Sequence, residues 1–256
     1  MSKIFVVTGS SSGIGKAIAE RLEGSGHRVI RVSRTNADIP ADLGTREGRA
    51  ETLRRIAEMA PDGIDGVCTS AGNSDRENPG NVAACNYFGT TEIIEGLYPL
   101  LRKPGGRCVA ISSAGMLQAN EKTAELEELC LAGDEDAAVK LASELTMVEV
   151  YPGTKKALSV WSRRTAIKPE WAGQGIMVNI ISPGIVRTPM NEAAFADPVT
   201  KAKLAKTAPR VAEGTAQPED IAELAEFLMT CKTNHLIGQV IFLDSGTEAI
   251  LRTDLK

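Results

Sequence analysis

Ile4 to Gly15 narrows the fold more than any other stretch of the chain. Four apolar residues, Ile4-Phe5-Val6-Val7, run into Thr8-Gly9-Ser10-Ser11-Ser12-Gly13-Ile14-Gly15, and Ile14, Ala17, Ile18 and Leu22 then recur at helical spacing before Gly24 and Gly26. That order predicts a strand, a glycine-rich turn and a helix. With few Cβ atoms in the way, backbone N–H groups and the helix N-terminus can face a pyrophosphate. A P-loop is the competing phosphate reading, since Gly15-Lys16 closes the turn. It fails because its leading glycine would fall at Ser10, and Ala17 stands where Ser or Thr must follow the lysine. A turn that binds nothing is the remaining alternative. Gly9, Ser11, Ser12, Gly13, Ile14 and Gly15 are therefore candidate dinucleotide-binding residues.

The chain then repeats the strand-helix theme. Arg28 to Ser33 reads as a second strand, and its end is where a dinucleotide fold meets the adenosine ribose. An NAD enzyme usually presents an Asp or Glu there, and an NADP enzyme an arginine. Ser33 and Arg34 occupy these positions, so NADP(H) is expected, with NAD(H) as the alternative because Asp38 lies close by. Asp42 could accept from an adenine amino group or merely precede the next helix. That helix runs from Thr45 toward Met59, with Ala50, Leu53, Ile56, Ala57 and Ala60 on its apolar side. Gly66 to Thr69 forms a strand leading into Ala71-Gly72, small residues that either let a cofactor lie against the backbone or form a plain loop. Asn86 opens a helical run, where it is either a hydrogen-bond relay or a capping or core residue. The strand Arg107 to Ile111 ends in Ser112-Ser113, on the ligand side of an open parallel sheet.

From 116 to 150 the pattern changes to an acidic, helix-prone insertion of two short helices with Gly133 between them. It reads as a lid, an interface element or a solvated insertion, and its leucines need burial against something. Beyond it lie a helix carrying Tyr151, a strand from Ile176 to Ile181, a lid-like loop over about 185–210, a helix from Pro218 and a last strand from Gly238 to Leu243. Strands alternating with helices from end to end predict one α/β domain over 1–256, a Rossmann-type doubly wound parallel sheet.

Tyr151-Pro152-Gly153-Thr154-Lys155 carries the candidate chemistry. At that spacing on a helix the tyrosine and lysine share one face. At ~4–5 Å and an effective dielectric of ~20, an ammonium would stabilise a phenolate by roughly 3–4 kcal/mol. That would bring the phenol down from its ordinary pKa of about 10 toward working pH, where a general acid or base is most effective. Taken alone, the pair is also an ordinary helix-surface arrangement.

Charge and composition exclude several partners. With a formal net charge of −4 and no long basic run, nucleic acid and anionic membrane are not expected partners. The five cysteines lack any Cys-x-x-Cys spacing, which argues against a disulfide framework or a zinc site, and no metal is expected. His27 and His235 have no second ligand or triad partner nearby. Ile4 to Val7 is too short for a signal peptide, so a soluble cytoplasmic protein is expected.

Taken together the motifs resemble the short-chain dehydrogenase/reductase family. Thr8-Gly9-x-x-x-Gly13-x-Gly15, Asp42-Leu43, Ala71-Gly72, Asn86, Ser113, Tyr151-x-x-x-Lys155 and Pro183-Gly184-x-x-x-Thr188 stand in family order along the whole chain. Two departures occur: Ser70 replaces the usual asparagine before Ala-Gly, and the spacing from Ser113 to Tyr151 is far longer than in most members. The insertion is similar to that of bacterial 3α-hydroxysteroid dehydrogenase-like members. The resemblance implies hydride transfer between a nicotinamide and a secondary alcohol or ketone. Tyr151 would exchange the proton, Ser113 would bond the substrate oxygen, Lys155 would tune Tyr151 and hold the ribose, and Asn86 would hold a water. Leu43, Pro183, Gly184, Val186 and Thr188 would complete the cofactor site. Met116, Met147, Ile185, Met190 and Phe195 are candidate substrate walls for a hydroxysteroid or other alicyclic ring. A 3-ketoacyl carrier-type reductase and a catalytically silent dinucleotide sensor are the alternatives. A homodimer is expected, because the insertion would obstruct the usual tetramer.

Overall fold

A computed structural model describes residues 2–254 apart from 193–196, 199–201, 203–205 and 213. Its core is a seven-stranded parallel sheet: β1 (Ile4–Thr8), β2 (Arg28–Ser33), β3 (Ile39–Pro40), β4 (Gly66–Thr69), β5 (Arg107–Ile111), β6 (Met177–Pro183) and β7 (Val240–Leu243). In space the order is β3-β2-β1-β4-β5-β6-β7, so the winding reverses between β1 and β4. The crevice beyond the strands' carboxyl ends at such a reversal is where open α/β sheets bind ligands.

The apolar run that opens the chain is explained by burial on both faces. Val6 enters the core that also holds Ile30, Ile94 and Leu158, whereas Phe5 and Val7 enter the opposite one with Ile18, Ile181 and Leu228. A strand with helices on both sides needs no polar alternation. The layers are α1 (Gly13–Gly24) and α8 (Pro218–Thr230) on one face and α2 (Arg46–Met59), α4 (Gly89–Leu97) and α7 (Met147–Ala166) on the other, and α9 (Thr247–Leu251) lies near the chain's end.

Several expected boundaries shift. The third segment is only Ile39–Pro40, which leaves Asp42 and Leu43 in the loop past the sheet. The last strand begins at Val240 because Gly238, at φ +64, breaks the extended path. Asn86 does not open a helix. It sits in a π turn, Ala84–Phe88, joining α3 (Pro79–Ala83) to α4.

The buried face of α2 is the clearest correction. The sequence points to Ala50 and Ala57, yet these are exposed, and Arg49, Thr52 and Ile56 are buried. Arg49 is turned inward by the acidic insertion, whose helices are α5 (Ala124–Ala132) and α6 (Glu135–Glu144). Its Nη2 donates to both oxygens of Glu135 at 2.7 Å, its Nε to Glu92 at 2.6 Å, and its Nη1 to the Leu43 carbonyl at 3.2 Å. Only 1% of Arg49 is exposed.

The insertion is packed rather than solvated. Leu126, Cys130, Ala138 and Ala142 are buried, with α5 against α7 and α6 against α3. Two glycines permit the approach: a Cβ on Gly80 would lie 2.4 Å from Ser143 Oγ, and one on Gly153 would lie 3.2 Å from Thr123 Cβ. Gly133, at φ +76, ends α5, and the Asp134 carboxylate accepts from Ala137 N to start α6.

Removing Arg49 would leave the buried Glu135 with the exposed Arg46, whose Nε donates to it at 2.8 Å, and would strip it of its buried partner. Arg49→Met is expected to lower the unfolding free energy by about 3–5 kcal/mol, measured by urea denaturation. Arg49→Met/Glu135→Leu is expected to recover more than half of that loss. A single variant within about 1 kcal/mol of wild type contradicts this account of α2.

Candidate active site

The glycine turn is built by contacts that forbid side chains. A Cβ on Gly15 would meet the Gly9 carbonyl oxygen at 2.3 Å, and one on Gly9 would meet Ala71 backbone at 2.8 Å. Thr8 Oγ1 accepts from Ala71 N at 3.1 Å, tying the ends of β1 and β4 together. The N-cap of α1, Ser12, makes no side-chain cap bond, and the first turn contains no acidic residue. By contrast α2, α3 and α6 are capped by Thr45, Asn78 and Asp134. The open amide donors of α1 and the bare turn before it therefore fit a pyrophosphate.

A cavity of about 720 Å³ begins at this turn and runs across the carboxyl ends of the strands. It is lined by Gly9, Ser11, Ser12, Gly13, Ile14 and Gly15, by Ser33 and Arg34, by Asp42 and Leu43, and by Ala71 and Gly72. Pro183, Gly184, Val186 and Thr188 close it from β6, and Asn86, Ser113, Tyr151 and Lys155 lie around it too. All the cofactor and catalytic candidates named from sequence thus face one space.

At the β2 end, Ser33 Oγ lies 2.7 Å from Ser11 Oγ. Arg34 is exposed and makes no ion pair among the described residues. The Asp38 carboxylate is committed elsewhere, accepting from Arg31 N at 2.8 Å. Asp42 serves its local turn, accepting from Gly44 N at 2.9 Å, while still lining the cavity.

The catalytic candidates meet at the other end. Asn86 Oδ1 accepts from Asn73 N at 2.9 Å, and its Nδ2 donates to the Asn73 carbonyl at 3.0 Å, clamping the loop after β4. Asn86 is thus a buried residue bonded to a neighbouring loop and does not cap a helix. Gly72 is bare where a Cβ would crowd Asn86 Oδ1 at 3.0 Å. Ser113 Oγ accepts from Gly115 N at 3.0 Å, which leaves the Ser113 proton for another acceptor, and the hydroxyl is hydrogen-bonded to Tyr151.

The electrostatics differ from the expectation that Lys155 lowers the Tyr151 pKa. Burial holds Tyr151 above its ordinary value, and the bond with Ser113 offsets part of that rise. Lys155 is buried under the ring, 5.9 Å from its centroid, and Nζ donates to the Ile111 carbonyl at 3.0 Å. Burial pushes its pKa from 10.5 down to about 8. One helical turn places the ammonium beneath the ring plane rather than at the phenol oxygen, so desolvation outweighs attraction for both groups.

Of the candidate substrate walls, Met190 lines the cavity. Met116, Met147 and Ile185 do not, and Phe195 lies outside the described residues, as does part of the 185–210 loop. Met116 is turned inward, its sulfur accepting from Ser159 at 3.2 Å and from Ser182 at 3.7 Å. Asn73, Cys85, Thr35 and Asn36 line the cavity without having been singled out. Asn73 follows Ala71-Gly72 directly, a cue available in the sequence. His27 is structural, accepting from Lys3 N at 3.3 Å and packing edge-on against Phe5. The cysteines are free, and burial raises the pKa of Cys68 to about 12 and of Cys85 to about 11.

Comparison with known proteins gives a consistent result. The family described as short chain dehydrogenase matches residues 3–124, and the family described as enoyl-(acyl carrier protein) reductase matches residues 136–248. A 3-alpha-hydroxysteroid dehydrogenase/carbonyl reductase of Comamonas testosteroni is 32% identical over 97% of this chain and 98% of its own. A coniferyl-alcohol dehydrogenase of Pseudomonas sp. is 30% identical over 96% of each chain. The crystal structure of a 3-alpha-hydroxysteroid dehydrogenase from Pseudomonas sp. B-0831, complexed with NADH, is 32% identical, covers 98% of both chains and superposes with a TM-score of 0.86.

A buried lysine with a depressed pKa carries a stability signature. The unfolded chain binds that proton more tightly, so the penalty is full below pH ~8 and is relieved as pH rises toward 10.5. Lys155→Met is therefore expected to exceed the wild-type unfolding free energy by about 1–3 kcal/mol at pH 7, with the margin shrinking toward pH ~10. Urea denaturation of the ligand-free protein at both pH values measures this. A variant less stable than wild type at pH 7 would overturn it.

Proposed function

This chain belongs to the short-chain dehydrogenase/reductase family, and we propose that it uses NADP(H) to interconvert a secondary alcohol and a ketone on a hydroxysteroid or similar alicyclic ring. It is an NAD(P)-dependent alcohol dehydrogenase or ketone reductase. The observation that carries the cofactor choice is the β2 end, where the Arg34 guanidinium, without an ion pair among the described residues, and the Ser33 hydroxyl line the cavity while the Asp38 carboxylate is turned to Arg31 N. A guanidinium suits a 2′-phosphate, and a carboxylate suits a free 2′-hydroxyl. NAD(H) is the alternative, supported by the NADH held by the Pseudomonas relative.

The dinucleotide would lie with its pyrophosphate on Gly13 and the α1 amides, its adenosine end by Arg34 and Asp42, and its nicotinamide end by Lys155, Val186 and Thr188. When bound, it supplies the hydride donor or acceptor. Tyr151 would exchange a proton with the substrate oxygen. Ser113, fixed by Gly115 N–H, would donate a hydrogen bond to that oxygen and keep it in line with the phenol. Lys155, with its pKa already near 8, would pass a proton between Tyr151 and a water held at Asn86, through which it reaches solvent.

Resemblance to the hydroxysteroid and carbonyl reductases supports an alicyclic substrate, and Met190 offers it an apolar wall. A carrier-bound acyl substrate is the second reading, favoured by the enoyl-(acyl carrier protein) reductase match. The net charge of −4 gives an acidic carrier little to dock on. A silent sensor has no need of Ser113, Tyr151 and Lys155 together. The insertion, packed on α3 and α7, supports a homodimer, and a stable tetramer in light scattering would remove that reading.

Purified protein mixed with NADP and a 3α-hydroxysteroid is expected to form reduced nicotinamide, and Tyr151→Phe to lower kcat by about 10²–10⁴-fold. Arg34→Ala is expected to raise the KM for NADP and leave that for NAD little changed. Faster turnover with NAD would overturn the cofactor preference. Silence on steroid and ketone panels, with NADPH still bound by fluorescence, would favour the sensor.

A further inference from the structure

Met116 is the first long side chain of the insertion, and its surroundings are unusual for a methionine. Its sulfur accepts from two serines, Ser159 and Ser182, and a third, Ser112, lies 3.2 Å from the Ser159 hydroxyl; each of the three is at least nine-tenths buried. Each hydroxyl has one proton to place. Ser112 Oγ donates to the Lys155 carbonyl at 3.0 Å. Ser159 Oγ lies 3.0 Å from that same carbonyl and 3.2 Å from the Met116 sulfur, so it has a choice of acceptors. Ser182 is fully buried, and its side-chain acceptor among the described residues is Met116 Sδ.

These contacts join the three segments that frame the reacting end of the cavity. Ser112 precedes Ser113 at the end of β5. Ser159 stands one helical turn after Lys155 on α7. Ser182 precedes Pro183 and Gly184 at the end of β6. Met116 itself closes the turn that holds Ser113, since its N–H donates to the Ser113 carbonyl at 3.1 Å. Between them lies Gly115, which fixes Ser113 Oγ and passes so near Tyr151 that a Cβ would stand 3.3 Å from the ring. A shift of this turn therefore changes how the Ser113 hydroxyl meets the Tyr151 phenol.

We propose that Met116 is a positioning residue: its thioether, by accepting from Ser159 and Ser182, sets the turn that aims Ser113 at Tyr151. A leucine would fill much the same volume but accept neither proton. Ser159 could then turn to the Lys155 carbonyl, but Ser182 would be left unpaired, and a buried hydroxyl without an acceptor drives rearrangement around it. The fault is thus expected to lie in one orphaned donor, and removing the donor should cure it. The proposal rests on Tyr151 as the proton donor, so its test has an arm that needs no substrate.

Three proteins are compared with wild type: Met116→Leu, Ser182→Ala and Met116→Leu/Ser182→Ala. In the ligand-free state, the Tyr151 phenol is titrated by its ultraviolet phenolate absorbance, with Tyr151→Phe as the blank. Met116→Leu is expected to raise that titration by about one pH unit as the bond with Ser113 weakens. On whichever alcohol the wild type oxidises, it is expected to lower kcat about 5–10-fold, with the KM for the dinucleotide within about twofold. The double variant is expected to return most of both changes. Unchanged titration and kcat in Met116→Leu would overturn the proposal, as would defects that persist or add in the double variant. Loss of circular dichroism in both would also overturn it, since the sulfur would then serve the fold alone. If wild type oxidises no alcohol, the reaction reading fails, and the titration arm still decides the role of Met116.

Discussion

The close approach of three backbones where β1 leaves the sheet is the constraint on which the rest depends. Gly15 lies on the Gly9 carbonyl and Gly9 lies on Ala71, at separations where a single methyl group would overlap its neighbour. This brings the N-terminus of α1 down onto the sheet's edge and sets the ends of β1 and β4 side by side at the point where the winding reverses. A crevice opens there because no side chain can fill it. Everything that lines the crevice from the far side, from Asn86 to Thr188, is placed relative to that floor.

Burial sets the chemistry at the other end. Lys155 and Tyr151 share a helix face, but the environment rather than their mutual attraction moves their proton affinities, and it brings amine and phenol to unequal footing. The lysine approaches neutral pH from above while the phenol moves away from it. Their meeting in one reaction depends on whatever charge or hydrogen bonding a bound substrate and cofactor add. A site arranged this way holds its ionisable groups at a cost to stability and regains it in function.

Much of this was legible in the chain. Strands buried on both faces announce themselves as unbroken apolar runs, and Ile4 to Val7, Val67-Cys68 and Cys108 to Ile111 do so. The residues around the cavity could be named because they fall where strands end, which a repeating strand-helix pattern marks without any knowledge of contacts. The misses share a different cause. Arg49 is polar by every propensity, and only its partner Glu135, far along the chain, makes it a core residue. An apolar Met116 reads as a substrate wall, yet the two serines that claim its sulfur come from separate elements, α7 and β6. The direction of the Tyr151 shift depends on the depth of burial, and spacing along a helix says nothing of depth.

The π turn at Ala84–Phe88 has a consequence for helical phase. One extra residue in a turn advances everything after it by about 100° relative to an uninterrupted α-helix. Val82 and Ala83 before it, and Ile93, Ile94 and Leu97 after it, are all buried in the same core. Without the added residue, the two stretches would share one periodicity, and Asn86 would have to fit that apolar stripe or leave it. The turn gives the polar side chain a place outside the count. A deletion there would leave the length of the sheet untouched and still put the amide in the wrong register.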